Sequence, residues 1–137
     1  MQGVAIRVRQ GLIPELVRLA QLEPAHECCG LLGGSGGVIA RIFRATNVAG
    51  NLATAYEMAP QELFSLVREI RVASLELMGI YHSHPNGKNE PSPRDIELAY
   101  YPDTAYLIVS PQPNAARPVR AFSIRDRRST ELDIEIV

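Results

Sequence analysis

Cysteine is scarce: only Cys28 and Cys29 occur in 137 residues, and they are neighbours. A bond between adjacent cysteines is strained, so no disulfide framework is available, and a reducing compartment fits that usage. No segment approaches the roughly 20 apolar residues of a membrane span, and the N-terminal MQGVAIRVRQGLIPELVRLA holds no apolar run suited to a secretory signal. A cytoplasmic location with no membrane partner is expected. The net charge is only -1 and the pI about 6.3, which argues against a dedicated nucleic-acid binder. Internal repeats and low-complexity tracts are missing as well.

Lysine is almost absent: of 14 basic residues, all but Lys88 are arginine, a bias that the sequence does not explain. Five arginines fall between Arg117 and Arg128, in a segment that alternates apolar and polar residues. A solvated strand face and turn accounts for them, with a patch for an anionic partner as the other reading.

What is present is an ordinary globular composition, 46% hydrophobic and 21% charged. A chain of this size buries roughly two-thirds of its unfolded surface, enough for one domain spanning 1–137 without staples. Alternation or apolar content predicts strands over 4–8, 28–33, 38–45, 77–81, 105–109, 119–124 and 132–137. Helical spacing of Leu12, Leu16, Leu19 and Ala20 predicts a helix over 11–21, and a second runs from Pro60 to about Leu75. A third, short helix starts at Ser92, while Gly33 to Gly37 reads as a hairpin turn. Interspersed strands and helices specify an α/β fold, a mixed sheet flanked by helices.

The chemistry concentrates in His82-Ser83-His84-Pro85 and, after a gap of seven residues from His84, Ser92-Pro93-Arg94-Asp95. On an extended backbone His82 and His84 point to the same face, roughly 6.6 to 6.8 Å apart at Cα, so both imidazoles can converge on one ion. Pro85 holds His84 extended and ends the strand. The turn formers between Pro85 and Pro91 can fold the chain back to bring Asp95 near as a third ligand. Alternatively Ser92 is simply a helix N-cap, Pro93 the first helical residue and Asp95 the third, closing an acidic capping box.

Three protein ligands leave a position for water, the arrangement of a catalytic zinc, about one per chain. A hydrolytic site also needs a base outside the ligand set. Glu27, at the head of the apolar run Cys28 to Leu32, is the candidate, with a plain loop end as its other reading. Ser92 can cap a helix and also hydrogen-bond an oxyanion. His26 would point away from Glu27 on an extended chain and is left out.

These residues resemble the signature of the JAMM/MPN+ zinc metalloproteases: an upstream Glu, then H-[ST]-H-P, then, after seven residues counted from the second His, S-x-x-D. Glu27, His82, Ser83, His84, Pro85, Ser92 and Asp95 fill every position, and Glu27 to Gly33 is similar to the family's E-x-C-G-L-L-x-G segment. The resemblance spans most of the chain, from the first helix through the strand at 105–109. It implies the JAMM/MPN fold, with an architecture related to that of the cytidine deaminases. It also implies zinc on His82, His84 and Asp95, Glu27 as general base and acid, and Ser92 stabilising the tetrahedral intermediate. The implied reaction is hydrolysis of the peptide or isopeptide bond after the C-terminal Gly-Gly of a ubiquitin-like protein. In small bacterial members that partner is often a sulfur-carrier protein, and the shortness of this chain resembles those members, without room for the long insertions of eukaryotic deubiquitinases.

A Gly-Gly tail can pair with a sheet edge through main-chain bonds, and Ala55 to Met58 is a candidate edge, with a core strand as the alternative. The oligomeric state stays open, a homodimer among the options. Competing functions are a deaminase, which needs an H-x-E and a P-C-x-x-C that do not occur, a RadC-like DNA-associated protein, and a non-catalytic scaffold.

Overall fold

A computed structural model describes residues 4–137. Seven strands and three helices follow in the order β1 (Ala5–Val8), α1 (Leu12–Leu22), β2 (Cys29–Ser35), β3 (Val38–Ala45), α2 (Pro60–Val72), β4 (Glu76–Ser83), α3 (Pro93–Glu97), β5 (Ala105–Val109), β6 (Val119–Arg125) and β7 (Arg128–Ile136). The expected mixed sheet flanked by helices is present, and it closes on itself in the order β1-β3-β2-β4-β5-β6-β7. Closure comes from β1, which pairs in parallel with β3 on one side and β7 on the other.

Period-2 alternation sorts the strand residues onto two faces. Leu32, Tyr81, Leu107, Val109 and Ala121 pack with Leu12, Leu16 and Ala20 of α1. Their neighbours Leu31, Ile80, Tyr106, Ile108 and Phe122 pack with Leu66 and Ile70 of α2. Both faces are therefore covered, which explains why β2 and β5 read as continuous apolar runs rather than alternating ones. Among the described residues no helix is long and apolar enough to cross a membrane.

The element ends follow from local chemistry. The β2–β3 hairpin turns on Gly36 and Gly37, at φ 60° and 77°, a conformation a Cβ would strain. Helix α2 stops at Val72, three residues before the expected end, because Ser74 adopts φ 60° and closes a Schellman motif. Its N–H donates to Arg71 O at 2.9 Å, and Leu75 N–H donates to Ile70 O at 3.0 Å. Strand β7 begins four residues earlier than its apolar content suggests, since Asp126 and Arg127, at φ 52° and 62°, make a tight turn straight out of β6.

The arginine-rich segment is a solvated strand face paired with acids. Arg120 bridges Glu90 and Glu131 at 3.2 and 2.8 Å, and Arg125 meets Asp103 at 2.8 Å. Residues 55–58 belong to no strand, neither a sheet edge nor a core strand. Instead Asn47 ties this segment down. Its Nδ2 donates to Glu27 O and Ala55 O, both at 2.9 Å, and its Oδ1 accepts from Ala49 and Glu57 N–H at 2.9 and 3.1 Å. That segment therefore reaches the neighbourhood of Glu27 through one amide.

Candidate metal centre

Strand β4 lies between β2 and β5 and is buried on both sides, so its last residues are delivered rigidly to the sheet end. His82 pairs with Cys29 and Ile108 across the sheet, while Ser83 faces the opposite way. From that side Ser83 Oγ accepts the Cys28 N–H at 2.9 Å and donates to His26 O at 3.4 Å. The residues flanking Glu27 are thereby pinned to the strand that carries the histidines.

Three atoms form a nearly equilateral triangle. His82 Nε2 and His84 Nε2 stand 3.0 Å apart, and Asp95 Oδ2 lies 3.2 Å from the first and 3.1 Å from the second. Tetrahedral zinc, with bonds of about 2.0 to 2.1 Å, sets its ligands about 3.3 Å apart. The donor set, two imidazoles and a carboxylate, and its spacing both fit such an ion, with the edges slightly contracted. His84 Nδ1 stands 2.6 Å from Lys88 O, so that on loss of its Nε2 proton the ring still donates there and turns the Nε2 lone pair toward an ion. The ring of His82 is stacked on Tyr56, centroids 4.3 Å apart.

The two readings of Ser92-Pro93-Arg94-Asp95 coincide rather than compete. Ser92 Oγ accepts the Asp95 N–H at 3.1 Å and Asp95 Oδ2 accepts the Ser92 N–H at 2.9 Å, a complete capping box on α3. The capping bond aims the carboxylate, and the same oxygen faces both imidazoles.

Glu27 offers a second carboxylate within 4.8 Å of the histidine ring nitrogens. Asp95 is the nearer of the two acids, and Glu27 Oε1 is fully buried with no hydrogen-bond partner among the described residues. Burial raises its pKa from 4.5 to about 7, with His84 lowering it and Asp95 raising it further. A buried carboxylate is costly unless something compensates it, and a cation in the adjoining triangle would do so.

The titrations of the triangle are coupled. Burial, which raises the Asp95 pKa, is outweighed by hydrogen bonds from His82 and His84, so its carboxyl is held well below the usual carboxylate range. Burial alone dominates His82 and lowers its pKa. For His84, burial is outweighed by the bonds to Asp95 and the Lys88 carbonyl, and the pKa rises. Cys28 and Cys29 stay outside this chemistry. Burial pushes Cys29 up to about 12 and raises Cys28 too, leaving both as protonated core thiols.

All five residues singled out in the sequence, Glu27, His82, His84, Ser92 and Asp95, thus lie around this one corner of the fold. Three participants carried no sequence signal: Asn47, Tyr56 and the loop carbonyl of Lys88. A lone asparagine, a tyrosine in an irregular segment and a main-chain oxygen have no spacing that announces them.

Known proteins share both sequence and fold with this chain. A family model of prokaryotic homologs of the JAB domain matches residues 9–125. The desampylase of Haloferax volcanii is 34% identical over 111 residues, 80% of each chain. The CysO-cysteine peptidase of Mycobacterium tuberculosis is 30% identical over 132 residues, 95% of this chain and 90% of its own. A Desulfitobacterium hafniense protein solved in solution superposes with TM-score 0.82 at 27% identity, covering 96% of this chain and 92% of its own. The chain therefore belongs to the prokaryotic JAB-domain family, the small branch of the JAMM/MPN proteins.

Proposed function

We propose that residues 1–137 act as one zinc metallopeptidase domain, hydrolysing the amide or isopeptide bond after the C-terminal Gly-Gly of a ubiquitin-like sulfur-carrier protein in the cytoplasm. The observation that carries this reading is the triangle of His82, His84 and Asp95 beside a buried carboxylate, Glu27, with an unpartnered oxygen. Two of the similar proteins are named as a desampylase and a CysO-cysteine peptidase, which supports a peptidase acting on such conjugates.

In this reading His82, His84 and Asp95 hold the zinc. When bound, the ion supplies Lewis acidity and brings the pKa of a water to about 7. Glu27 takes a proton from the attacking water and returns it to the nitrogen of the leaving amine, so the amide C–N bond breaks without expelling an unstable anion. Burial raises its pKa in the metal-free chain, and a cation in the triangle would lower it again, so that Glu27 is ionised and ready to take the proton when the metal is bound. Ser92 Oγ accepts the Asp95 N–H and so keeps its own O–H proton free to donate to the oxyanion formed at the former carbonyl. Ser83 and Asn47 hold the peptide between Glu27 and Cys28, the first accepting the Cys28 N–H and the second donating to the Glu27 carbonyl.

The test is elemental analysis together with hydrolysis of carrier fusions ending in Gly-Gly. About one zinc per chain is expected, with activity lost on chelation and in Glu27→Gln while the zinc stays bound. Zinc-loaded protein that cleaves no Gly-Gly fusion would favour a scaffold instead.

A further inference from the structure

The two imidazoles of the triangle are held by different means. His84 has a second anchor, its Nδ1 standing 2.6 Å from the Lys88 carbonyl, and a metal-binding histidine is ordinarily oriented by such a contact at its other ring nitrogen. His82 has no counterpart: its Nδ1 is buried and meets no hydrogen-bond partner among the described residues. The backbone does not make up the difference. Strand β4 fixes the main chain of His82 between Cys29 and Ile108, but rotation about the Cβ–Cγ bond of a histidine is broad and roughly two-fold. Another group has to set the plane of this ring.

Tyr56 is placed to do so. Its ring lies on that of His82 with centroids 4.3 Å and planes 22° apart, whereas His84 meets the same imidazole edge-on, at 4.8 Å and 61°. Stacking fixes the plane but not which way round the ring lies in it. Asp95 Oδ2, 3.2 Å from His82 Nε2, draws that nitrogen rather than a ring carbon into the triangle. Tyr56 is restrained through both of its neighbours in sequence. The Ala55 carbonyl accepts from Asn47 Nδ2 at 2.9 Å and the Glu57 N–H donates to Asn47 Oδ1 at 3.1 Å, while the Glu57 carbonyl accepts the Val48 N–H at 2.9 Å. An irregular segment is thus bracketed at the one residue whose ring covers His82.

Resting on the zinc reading of the triangle, we propose that Tyr56 is the positioning residue of His82, its ring taking the place of the contact that Nδ1 lacks. Without that ring the imidazole is free to swing about its Cβ–Cγ bond and to carry Nε2 away from its place 3.0 Å from His84 Nε2. A metal site tolerates only about 0.5 Å or 10 to 20° of such movement, so the loss falls on metal affinity and ligand geometry. One imidazole is held by a polar contact and the other by packing. If Tyr56 only filled space in the core beside Leu31 and Ile80, its replacement would lower stability and leave the metal affinity of the folded chain unaltered.

The test therefore reads metal binding and stability side by side on the full chain. Zinc affinity is measured by chelator competition, ligand geometry by the visible absorption of the cobalt(II)-loaded protein, and metal-free stability by denaturant unfolding. Tyr56→Phe keeps the ring and is expected to match the unmutated protein in affinity and spectrum. Tyr56→Leu keeps apolar bulk without the ring and is expected to weaken zinc binding by roughly tenfold to a hundredfold, the scale of a lost orienting partner, with altered cobalt bands. Tyr56→Met fills the same space with a flexible chain and carries the test where Tyr56→Leu does not fold. Unchanged affinity and spectrum in the folded Leu or Met variant, with stability alone reduced, overturn the assignment. So does a Tyr56→Phe protein as impaired as Tyr56→Leu, because the hydroxyl and not the ring would then hold His82. Unmutated protein that binds neither ion overturns the zinc reading and this one together, an outcome separate from any difference among the Tyr56 variants.

Discussion

Ser83 Oγ accepts the backbone N–H of Cys28 at 2.9 Å across 55 residues of sequence, joining the strand that carries both histidines to the segment that carries Glu27. Ser83→Ala leaves that buried N–H without a partner, at a cost of about 1 to 3 kcal/mol. Denaturant unfolding should register the loss, while zinc content stays near that of the unmutated protein because the triangle is untouched. Ser83→Thr keeps the hydroxyl and should recover most of the stability.

Glu27 burdens the fold in a pH-dependent way. Its pKa is about 7 in the folded chain against 4.5 ordinarily. Below pH 4.5 both states are protonated and nothing is lost. As pH rises toward 7 the unfolded chain ionises first, so stability falls, and the penalty levels off above 7. Metal-free Glu27→Gln should therefore be more stable than the unmutated protein at pH 8, by up to about 3 kcal/mol, and indistinguishable from it at pH 4. Thermal melts at the two pH values check this. Hydrolysis should fall by roughly a hundredfold or more in the same variant.

Two substitutions at Asp95 separate its capping from its charge. Asp95→Asn keeps an acceptor for the Ser92 N–H but removes the anion facing both imidazoles, so zinc affinity should drop by roughly tenfold or more, and metal-free stability should fall at neutral pH because the folded chain favours the ionised carboxylate. Asp95→Ala loses both, adding about 1 kcal/mol of cap destabilisation. Chelator-competition titration and denaturation of the stripped proteins read the two effects independently.

Ser92→Ala removes the other half of the capping box and the proposed oxyanion donor. It should retain zinc, lose about 1 kcal/mol of stability, and lower kcat by roughly a hundredfold. A variant with unaltered kcat would reduce Ser92 to a helix cap.

Metal removal has its own signature. A ligand held only by the folded chain, present at a hundred times its dissociation constant, adds about 2.7 kcal/mol, so stripping zinc should lower the melting temperature by roughly 10 °C. Because the zinc-binding form of His84 is unprotonated, and hydrogen bonding in the metal-free triangle raises its pKa, zinc affinity should rise with pH through that titration and weaken in acid. Titrations across a pH series would show it.

The strands, both longer helices and the two histidines are legible because they rest on local patterns: alternation, helical spacing, and an H-x-H at a strand end; Glu27 has no such pattern and stands out only through the resemblance of Glu27 to Gly33 to a family segment. The capping box is equally local, since Ser92 and Asp95 are three residues apart. Less visible is whatever depends on distant partners. The amide of Asn47 acquires meaning only when Glu27, Ala55 and Glu57 surround it. Tyr56 matters through its stack on His82, from a segment without periodicity. The early start of β7 was hidden because Asp126 and Arg127 occupy a left-handed turn usually given to Asn-Gly.

Strand β1 has four residues, and it is flanked by β3 and by β7. Its pairing with β7, Arg128–Ile136, joins Ala5 to Asp133 and is the most distant strand pairing in the sheet. The ring therefore cannot shut until β7 is in place, and until then β1 and β6 each present an edge of unpaired main-chain groups. A seam formed between such distant segments carries the largest loop-closure cost of any pairing in the ring, so the open-edged form is where unwanted strand pairing between molecules would start.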